Sequence, residues 1–564
     1  MVSLSNRERN TLRGPDPEAM SLVESAAAHQ APNLDAQQPL VLVADPVAEE
    51  GLAILRPHAR VEVVAGQPRD VLLERIQAAA GLLVRSETRV TADLLERAPR
   101  LRVIGRAGAG VDTIDVGEAT RRGIVVVNAP GGNSVAAAEH SLALMFALAR
   151  RITAADAALK QGIWARSRYV GTELAGKTLG LVGLGRVGAE VARRALGLEM
   201  RVLVYDPYVP AEHVRRSGCE PLELAALLAQ SDVVSLHVPL TDTTRGLLNA
   251  EHIGQMRRGA FLVNCARGGL VDEAALIEAL DSGHLAGAGI DVFAQEPVAP
   301  DDPLPRHPRV VATPHLGAST IEAQVTVAAQ VAEEVLAILE GRPAQFAVNA
   351  PSLRAEEAEL LQPYIELVRM LGKLAIQLAD GHVRSAEVTY RGEIADHNLS
   401  ALTAAAVQGL LEPISEDVSV NLVNARLLAQ QRGLAIVETR SSTPEHYTSL
   451  VRVTVQTDVG SISVAGVISD GRANVVQIDE YELHLPPTPG YMLVTQHVDR
   501  PGMIGLVGTL LGQADINISS MQVGRKAPRG EALMLLSVDE PIPAAVVEQI
   551  RQAANVTTIR LIKL

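Results

Sequence analysis

The chain has 564 residues, 47% of them hydrophobic, 21% charged and only 2% aromatic, and a net charge of −14. The acidic balance argues against nucleic-acid or anionic-membrane partners, and no apolar run approaches the ~18 residues of a spanning helix. Two cysteines, Cys219 and Cys265, exclude a disulfide framework and fit a reducing cytoplasm.

At ~150 residues per domain, the length predicts roughly three to five domains. Residues 1–38 are polar, carry charges of both signs and lack the apolar centre of a secretory signal, so a disordered tail is expected. Short apolar runs predict strands at 41–44, 61–64, 82–84, 101–104 and 124–127, alternating with helices at 48–55, 70–78, 92–98 and 116–121. That alternation predicts a doubly wound parallel sheet of flavodoxin type. Ligands bind in the turns after such strands, and two of these turns carry unusual residues: Arg85-Ser86 and Arg106-Ala107-Gly108-Ala109-Gly110.

Residues 134–161 read as one long Ala- and Leu-rich helix capped by Ser134. A second series of strands follows at 178–182, 201–205, 233–237, 260–264, 287–291 and 309–313, and then another long helix at 320–340. Two long helices bracketing one sheet predict an insertion, with a nucleotide domain (140–317) set into a first domain made of 39–139 and 318–350. Residues 343–351 read as a linker. Beyond it, 351–487 has helical and alternating segments and is expected to be a separate α+β domain. After the Pro-rich punctuation at 486–490, residues 490–564 read β-α-β-β-α-β, a ferredoxin-like unit.

The strongest local signal is the stretch 177–206. A strand runs into Gly183-Leu184-Gly185-Arg186-Val187-Gly188, a helix follows, and a second strand ends in Asp206, 18 residues past Gly188. The glycines allow a tight turn, a close approach of backbone to pyrophosphate and close helix packing, and the helix N-terminus faces the phosphates. Asp206 can accept from a ribose 2′-OH and repels a 2′-phosphate, which favours NAD over NADP.

Three later strand ends carry chemistry: Asn264-Cys265-Ala266-Arg267, the stretch from Asp291 to Glu296, and Thr313-Pro314-His315. Strand carboxyl ends converge on the dinucleotide crevice, so Arg267, Glu296 and His315 can meet beside the nicotinamide. Oxidising an alcohol by hydride transfer needs a base for the hydroxyl proton, which a histidine supplies. A carboxylate fixes its tautomer, and an arginine grips a substrate carboxylate with a planar fork. His140 and His237 read as structural.

These stretches (RAGAGVDTID, NAPGGNS, GKTLGLVGLGRVG, NCARGGLVDE, GIDVFAQEP and TPHLGAST) resemble the D-2-hydroxyacid dehydrogenase family, most closely its long form with two C-terminal domains. The resemblance implies a homo-oligomeric, dimeric or tetrameric, cytoplasmic enzyme. It would oxidise 3-phospho-D-glycerate to 3-phosphohydroxypyruvate with NAD, the first step of L-serine synthesis. Arg267 would bind the substrate carboxylate, and Glu296 would support His315 as acid/base. Ala109, Gly183, Gly185, Arg186, Val187, Gly188, Asp206, Val238, Cys265, Ala266, Asp291, Gly317 and Ala318 would contact NAD, with Cys265 contributing backbone rather than a nucleophile. Arg85 and Ser86, with backbone N–H groups around Ala107 and Gly108, would hold the substrate. A phosphate also needs cations, and the stretch Trp164 to Arg168, with Arg166 and Arg168, could supply one across a dimer or be a basic surface turn. The last unit resembles the ACT regulatory module, in which His497, Asp499 and Asn517 would bind L-serine at a domain–domain interface; the middle one resembles an anion-binding intervening domain. No metal is implied. A dehydrogenase for another D-2-hydroxy acid, or a non-catalytic NAD sensor on the same scaffold, are the alternatives.

Overall fold

The computed structural model describes residues 38–351, 355–415, 419–486, 490–553 and 556–564. The expected tail lies outside the described residues except for Gln38, as do 487–489 of the Pro-rich punctuation.

The first sheet contains β1 (Leu40–Val43), β2 (Arg60–Val63), β3 (Gly81–Val84), β4 (Val103–Arg106) and β5 (Val125–Asn128), all parallel in the order β2-β1-β3-β4-β5. Strands covered on both faces need apolar residues on both, and β1 and β3 are buried throughout. The helix Ile321–Leu339 closes one face, packing Val327, Val331 and Val335 onto Val41, Val43, Leu83 and Val103.

The second sheet contains β6 (Thr178–Val182), β7 (Arg201–Tyr205), β8 (Glu220–Pro221), β9 (Val233–Leu236), β10 (Ala260–Asn264), β11 (Leu285–Ile290) and β12 (Val310–Ala312), ordered β12-β11-β10-β9-β6-β7-β8. The order reverses between β6 and β9. That switch point opens the crevice at the strand carboxyl ends. The two-residue β8 gave no sequence signal.

Two local expectations need correction. The run 134–161 is two helices, Ser134–Arg150 and Ile152–Lys160, broken at Arg151, whose φ of 52° is left-handed. Ser134 does not cap: Asn133 occupies the cap position, and the Ser134 hydroxyl is buried without a partner. The supposed linker is also stitched down. Phe346 O accepts from Asn128 N at 3.2 Å, and Val348 N donates to Val126 O at 2.7 Å, so the segment runs antiparallel along the edge of β5. The Asn349 amide then accepts from Val126 N and donates to Ile124 O and Thr120 Oγ1.

A mixed sheet follows: β13 (Val383–Gly392), β14 (Ala435–Ser441), β15 (Ser449–Thr457), β16 (Ser461–Ser469), β17 (Arg472–Ile478) and β18 (Tyr481–Leu485), with β13–β14 its parallel pair. The helices Ala355–Leu378 and Ser400–Leu411 cross so closely that a Cβ on Gly409 would collide with Arg369 O. The last unit has β19 (Tyr491–Val498), β20 (Ile518–Arg525), β21 (Glu531–Val538) and β22 (Thr558–Lys563) in the order β20-β21-β19-β22, the ferredoxin-like arrangement. Its helices Met503–Gln513 and Ala544–Ala553 cover one face. The other face places Met492, Val494, Leu533, Leu535 and Ile562 in one core with Leu371, Leu374, Tyr481 and Leu485. The two C-terminal units therefore pack through a shared core.

Candidate active site

The glycine turn after β6 fits a dinucleotide. A Cβ on Gly183, at φ 99°, would meet His237 O at 2.6 Å, and one on Gly188 would collide with Gly183 O. At Gly185 nothing lies within 4 Å. Two positions thus exclude a side chain because the chain packs tightly, while the third faces open space before the N-terminus of Arg186–Gly197, a cradle for phosphate oxygens. Asp206, at the end of β7, steadies this turn: its carboxylate accepts from Leu184 N at 2.8 Å and Tyr208 N at 2.9 Å. Arg186 reaches over to donate to Pro130 O at 3.2 Å. Val187 and Val238 are half-buried at the walls, packed on the two cores of the sheet. Ala266 N donates to Asn264 Oδ1. Burial pushes the Cys265 thiol up to about 12, so it is no nucleophile.

β10, β11 and β12 lie side by side in register, with Asn264 beside Ile290 and Ile290 beside Ala312. Their ends bring the expected groups to one edge. His315 has a left-handed φ of 57°, uncommon for a non-glycine residue and a sign of a held conformation. The holder is Asp291, fully buried, which accepts from Thr313 Oγ1, Leu316 N and Gly317 N at 2.6, 2.7 and 2.9 Å, with His140 Nε2 at 3.2 Å. Expected as a cofactor contact, its carboxylate is engaged inside the chain and shapes the His315–Ala318 turn. His140, Cys265 and Asp291 cluster closely enough for a metal, yet these hydrogen bonds already engage both Asp291 oxygens.

His315 Nδ1 lies 2.7 Å from Glu296 Oε2, and Phe293 N donates to Glu296 Oε1 at 3.0 Å. Burial alone would raise the Glu296 carboxyl, but the bonds from His315 and Phe293 outweigh it and hold it below its ordinary value. An ionised Glu296 places the proton on Nδ1 and leaves Nε2 as the base. His237 lies apart from this pair: it bonds Ser235, and burial pushes its imidazole down to about 4.

Across the cleft, Arg267 Nε donates to Asp112 Oδ2 at 2.9 Å, joining the two sheets' domains. Beside it lies Arg106, to which the sequence motifs assign no role. Its side chain curls under Gly108, whose Cβ would collide with Nη1; its Nε is buried without a partner. Burial, then the charge of Arg267, push its guanidinium down to about 10; Arg85 adds to the same field. Asp45, also missed, is buried and organises the 85–88 turn, accepting from Arg85 N, Glu87 N and Thr88 N. Ser86 is exposed on that turn.

The expectation for Ala107 and Gly108 is corrected. Their N–H groups already donate to Val84 O and Arg106 O, both at 2.8 Å. Among the described residues, donors without a partner begin at Ala109 and Gly110, while Ala109 O accepts from Asn128.

Two other groups do not assemble within one chain. Asp499 follows β19 beside Arg525 and Arg529 N, whereas Asn517 precedes β20 and donates to Asp539. Val498 pairs with Glu531 but Ile518 pairs with Val538, so the two lie at opposite ends of the sheet, roughly 25 Å apart at ~3.3 Å per residue. His497 is buried. The three do not meet within one chain. The arm carrying Arg166 and Arg168 is likewise remote: its Tyr169 and Thr172 line a depression with Lys177, Asp232 and Gly259, which precede β6, β9 and β10 at the edge away from the cleft.

A dinucleotide cradle, a His–Glu pair and facing arginines define an NAD-dependent dehydrogenase of 2-hydroxy acids. Three family models match in tandem: "D-isomer specific 2-hydroxyacid dehydrogenase, NAD binding domain" over 142–317, "D-3-phosphoglycerate dehydrogenase intervening domain" over 360–479, and "ACT domain" over 491–555. Among solved structures, the TT0316 protein of Thermus thermophilus is 42% identical with a TM-score of 0.50, covering 55% of this chain and 99% of its own. An Aquifex aeolicus D-lactate dehydrogenase complexed with NAD and lactic acid is 29% identical with a TM-score of 0.50, covering 56% of this chain and 100% of its own. The D-3-phosphoglycerate dehydrogenase of Methanocaldococcus jannaschii is 43% identical over 93% of this chain and 99% of its own length; that of Bacillus subtilis is 42% identical over the same shares. The chain belongs to the D-3-phosphoglycerate dehydrogenase family, and its cofactor is NAD. Among the described residues no helix is long and apolar enough to cross a membrane.

Proposed function

We propose that this chain oxidises 3-phospho-D-glycerate to 3-phosphohydroxypyruvate, the first step of L-serine synthesis, in the cytoplasm. The observation that carries the reading is that Arg106 and Arg267 both reach the 106–110 loop, against Gly108 and Gly110, with Arg85 near enough for its charge to act on Arg106, while His315 is paired with Glu296. A substrate with a carboxylate and a phosphate needs that many cations. Bound NAD supplies the hydride acceptor. Arg267 exchanges Asp112 for the substrate carboxylate, Arg106 and Arg85 hold the phosphate end, and the free N–H groups from Ala109 onward orient the carbonyl oxygen. His315 Nε2 takes the hydroxyl proton, and Glu296 stabilises the imidazolium.

Ile152, Leu159, Ile163, Trp164 and Val170 leave apolar surface exposed on one arm, which supports burial against a second copy in a homodimer or homotetramer. A second copy is also what the regulatory residues require. If L-serine binds Asp499 and Asn517 together, their separation assigns them to two ACT units facing each other.

The test is NADH formation from 3-phosphoglycerate, D-lactate and D-glycerate. The proposal requires kcat/KM for 3-phosphoglycerate to exceed the others by at least ~10-fold, the factor one charge-assisted contact supplies. Preference for an unphosphorylated acid overturns the substrate assignment, and no turnover on any of them leaves an NAD sensor.

A further inference from the structure

Where the ACT sheet meets the preceding domain, the shared core is incomplete. A cavity of about 240 Å³ remains between the end of the helix Ala355–Leu378, the β15–β16 hairpin, the β17–β18 turn and strands β19, β21 and β22. It falls just below the ~300–1,000 Å³ of drug-sized pockets, so it suits a small metabolite. Its apolar wall includes Ile478, Val494 and Leu533, all buried.

The polar wall carries charges of both signs. Arg560, from β22, lines the cavity, remains partly exposed and pairs through Nη2 with Asp380. A guanidinium carries five N–H donors, so this pair leaves donors for a ligand acceptor. Asp479, at the β17–β18 turn, has a left-handed φ of 47° and accepts from Ser463 N through Oδ1. Burial, with the charge of Glu480, raises its carboxyl above the ordinary aspartate value despite the Ser463 bond and the Lys526 charge; Lys526 itself pairs with Glu480 and Glu531. Gln496 donates to Tyr481 OH at 3.2 Å, and Ser461 and Thr558 add hydroxyls. One guanidinium and two carboxylates around a small cavity complement a molecule that carries one negative and one positive group.

We propose that this cavity binds a small free α-amino acid, its carboxylate on Arg560 and its ammonium on Asp479. The site lies within one chain and is distinct from the face that carries Asp499 and Asn517. It needs neither that face nor the catalytic assignment to be correct. Because its walls come from both C-terminal units, occupancy stiffens the junction between them.

The experiment is calorimetric titration of the full-length protein with glycine, L-alanine and L-serine, and with glycolate and ethanolamine as single-charge analogues. At least one amino acid is expected to bind, with both analogues at least ~10-fold weaker. Arg560→Gln and Asp479→Asn should each weaken binding by a similar factor or more, while Asp499→Ala leaves this binding in place. Asp479→Asn keeps the shape of the wall and serves as the second variant if Arg560→Gln loses its fold by circular dichroism. Failure of all three amino acids to bind overturns the proposal. So does binding unaffected by either wall variant, or binding abolished by Asp499→Ala.

Discussion

Replacing Arg106 by Met separates a substrate-binding arginine from a structural one. In the free protein Arg106 has little to hold it: Nε is unpartnered, Nη1 makes one 3.3 Å bond to Ala107 O, and burial and Arg267 push the guanidinium down to about 10. Removing a charge disfavoured by burial and by a like neighbour should not destabilise the apo protein, and Met retains much of the volume under Gly108. A charge-assisted hydrogen bond to a substrate anion contributes about 1.5–3 kcal/mol, which is roughly a 10- to 150-fold rise in KM at ~1.4 kcal/mol per decade. Steady-state kinetics with 3-phosphoglycerate and a thermal melt of the apo protein check both halves. An unchanged KM combined with a fall in Tm of several degrees would show that Arg106 belongs to the scaffold, and the three-cation reading would fail.

His315→Ala should lower kcat by roughly 10²–10⁴-fold, the usual share of a general base, while NAD binding followed by fluorescence persists; wild-type turnover would remove His315 from the chemistry. Glu296→Gln should lower kcat, since a neutral amide no longer stabilises the imidazolium formed on His315 or fixes its tautomer; an unchanged kcat would exclude Glu296 as the partner. Asp206→Ala should narrow the NAD/NADP ratio of kcat/KM, and because its carboxylate also holds Leu184 N and Tyr208 N, KM for NAD should rise as well. Asp499→Ala and Asn517→Ala should each abolish serine inhibition alone, yet mixed and reassembled oligomers of the two should recover part of it, since one pairing of chains then keeps both residues; no recovery would place serine elsewhere.

What was legible in the sequence was what short-range geometry dictates. The turn Gly183–Gly188 works within six residues, and Asp206 follows one helix later, so pattern alone located the cofactor cradle. Arg267, Glu296 and His315 were legible because each ends a strand whose neighbours are fixed by topology. Asp45 was not, because its partners lie 40 to 43 residues away. Arg106 was overlooked because RAGAG reads as a turn, and only the fold shows the side chain turned inward beneath Gly108. Asn349 looked like linker for the same reason: its partners sit more than 220 residues upstream. The helix break at Arg151 has neither glycine nor proline to announce it. His497, Asp499 and Asn517 are 20 residues apart at most, and only the fold shows that the helix Met503–Gln513 carries the chain back to the opposite end of the sheet between Asp499 and Asn517.

The shared C-terminal core limits how this chain can be taken apart. Tyr481, Leu483 and Leu485 of β18 are buried against a surface that includes Met492, Val494 and Leu535. The amide of Gln377 is clamped to both N and O of Lys563, almost at the last residue. Cutting the chain at the Pro-rich punctuation would therefore leave an apolar face bare, so the ACT unit is not a cassette that can be exchanged or deleted by itself. A chimera that keeps 355–564 together transplants an intact hydrophobic body rather than half of one, and gives up contacts to the first domain such as Asn421 Nδ2 to Gly123 O.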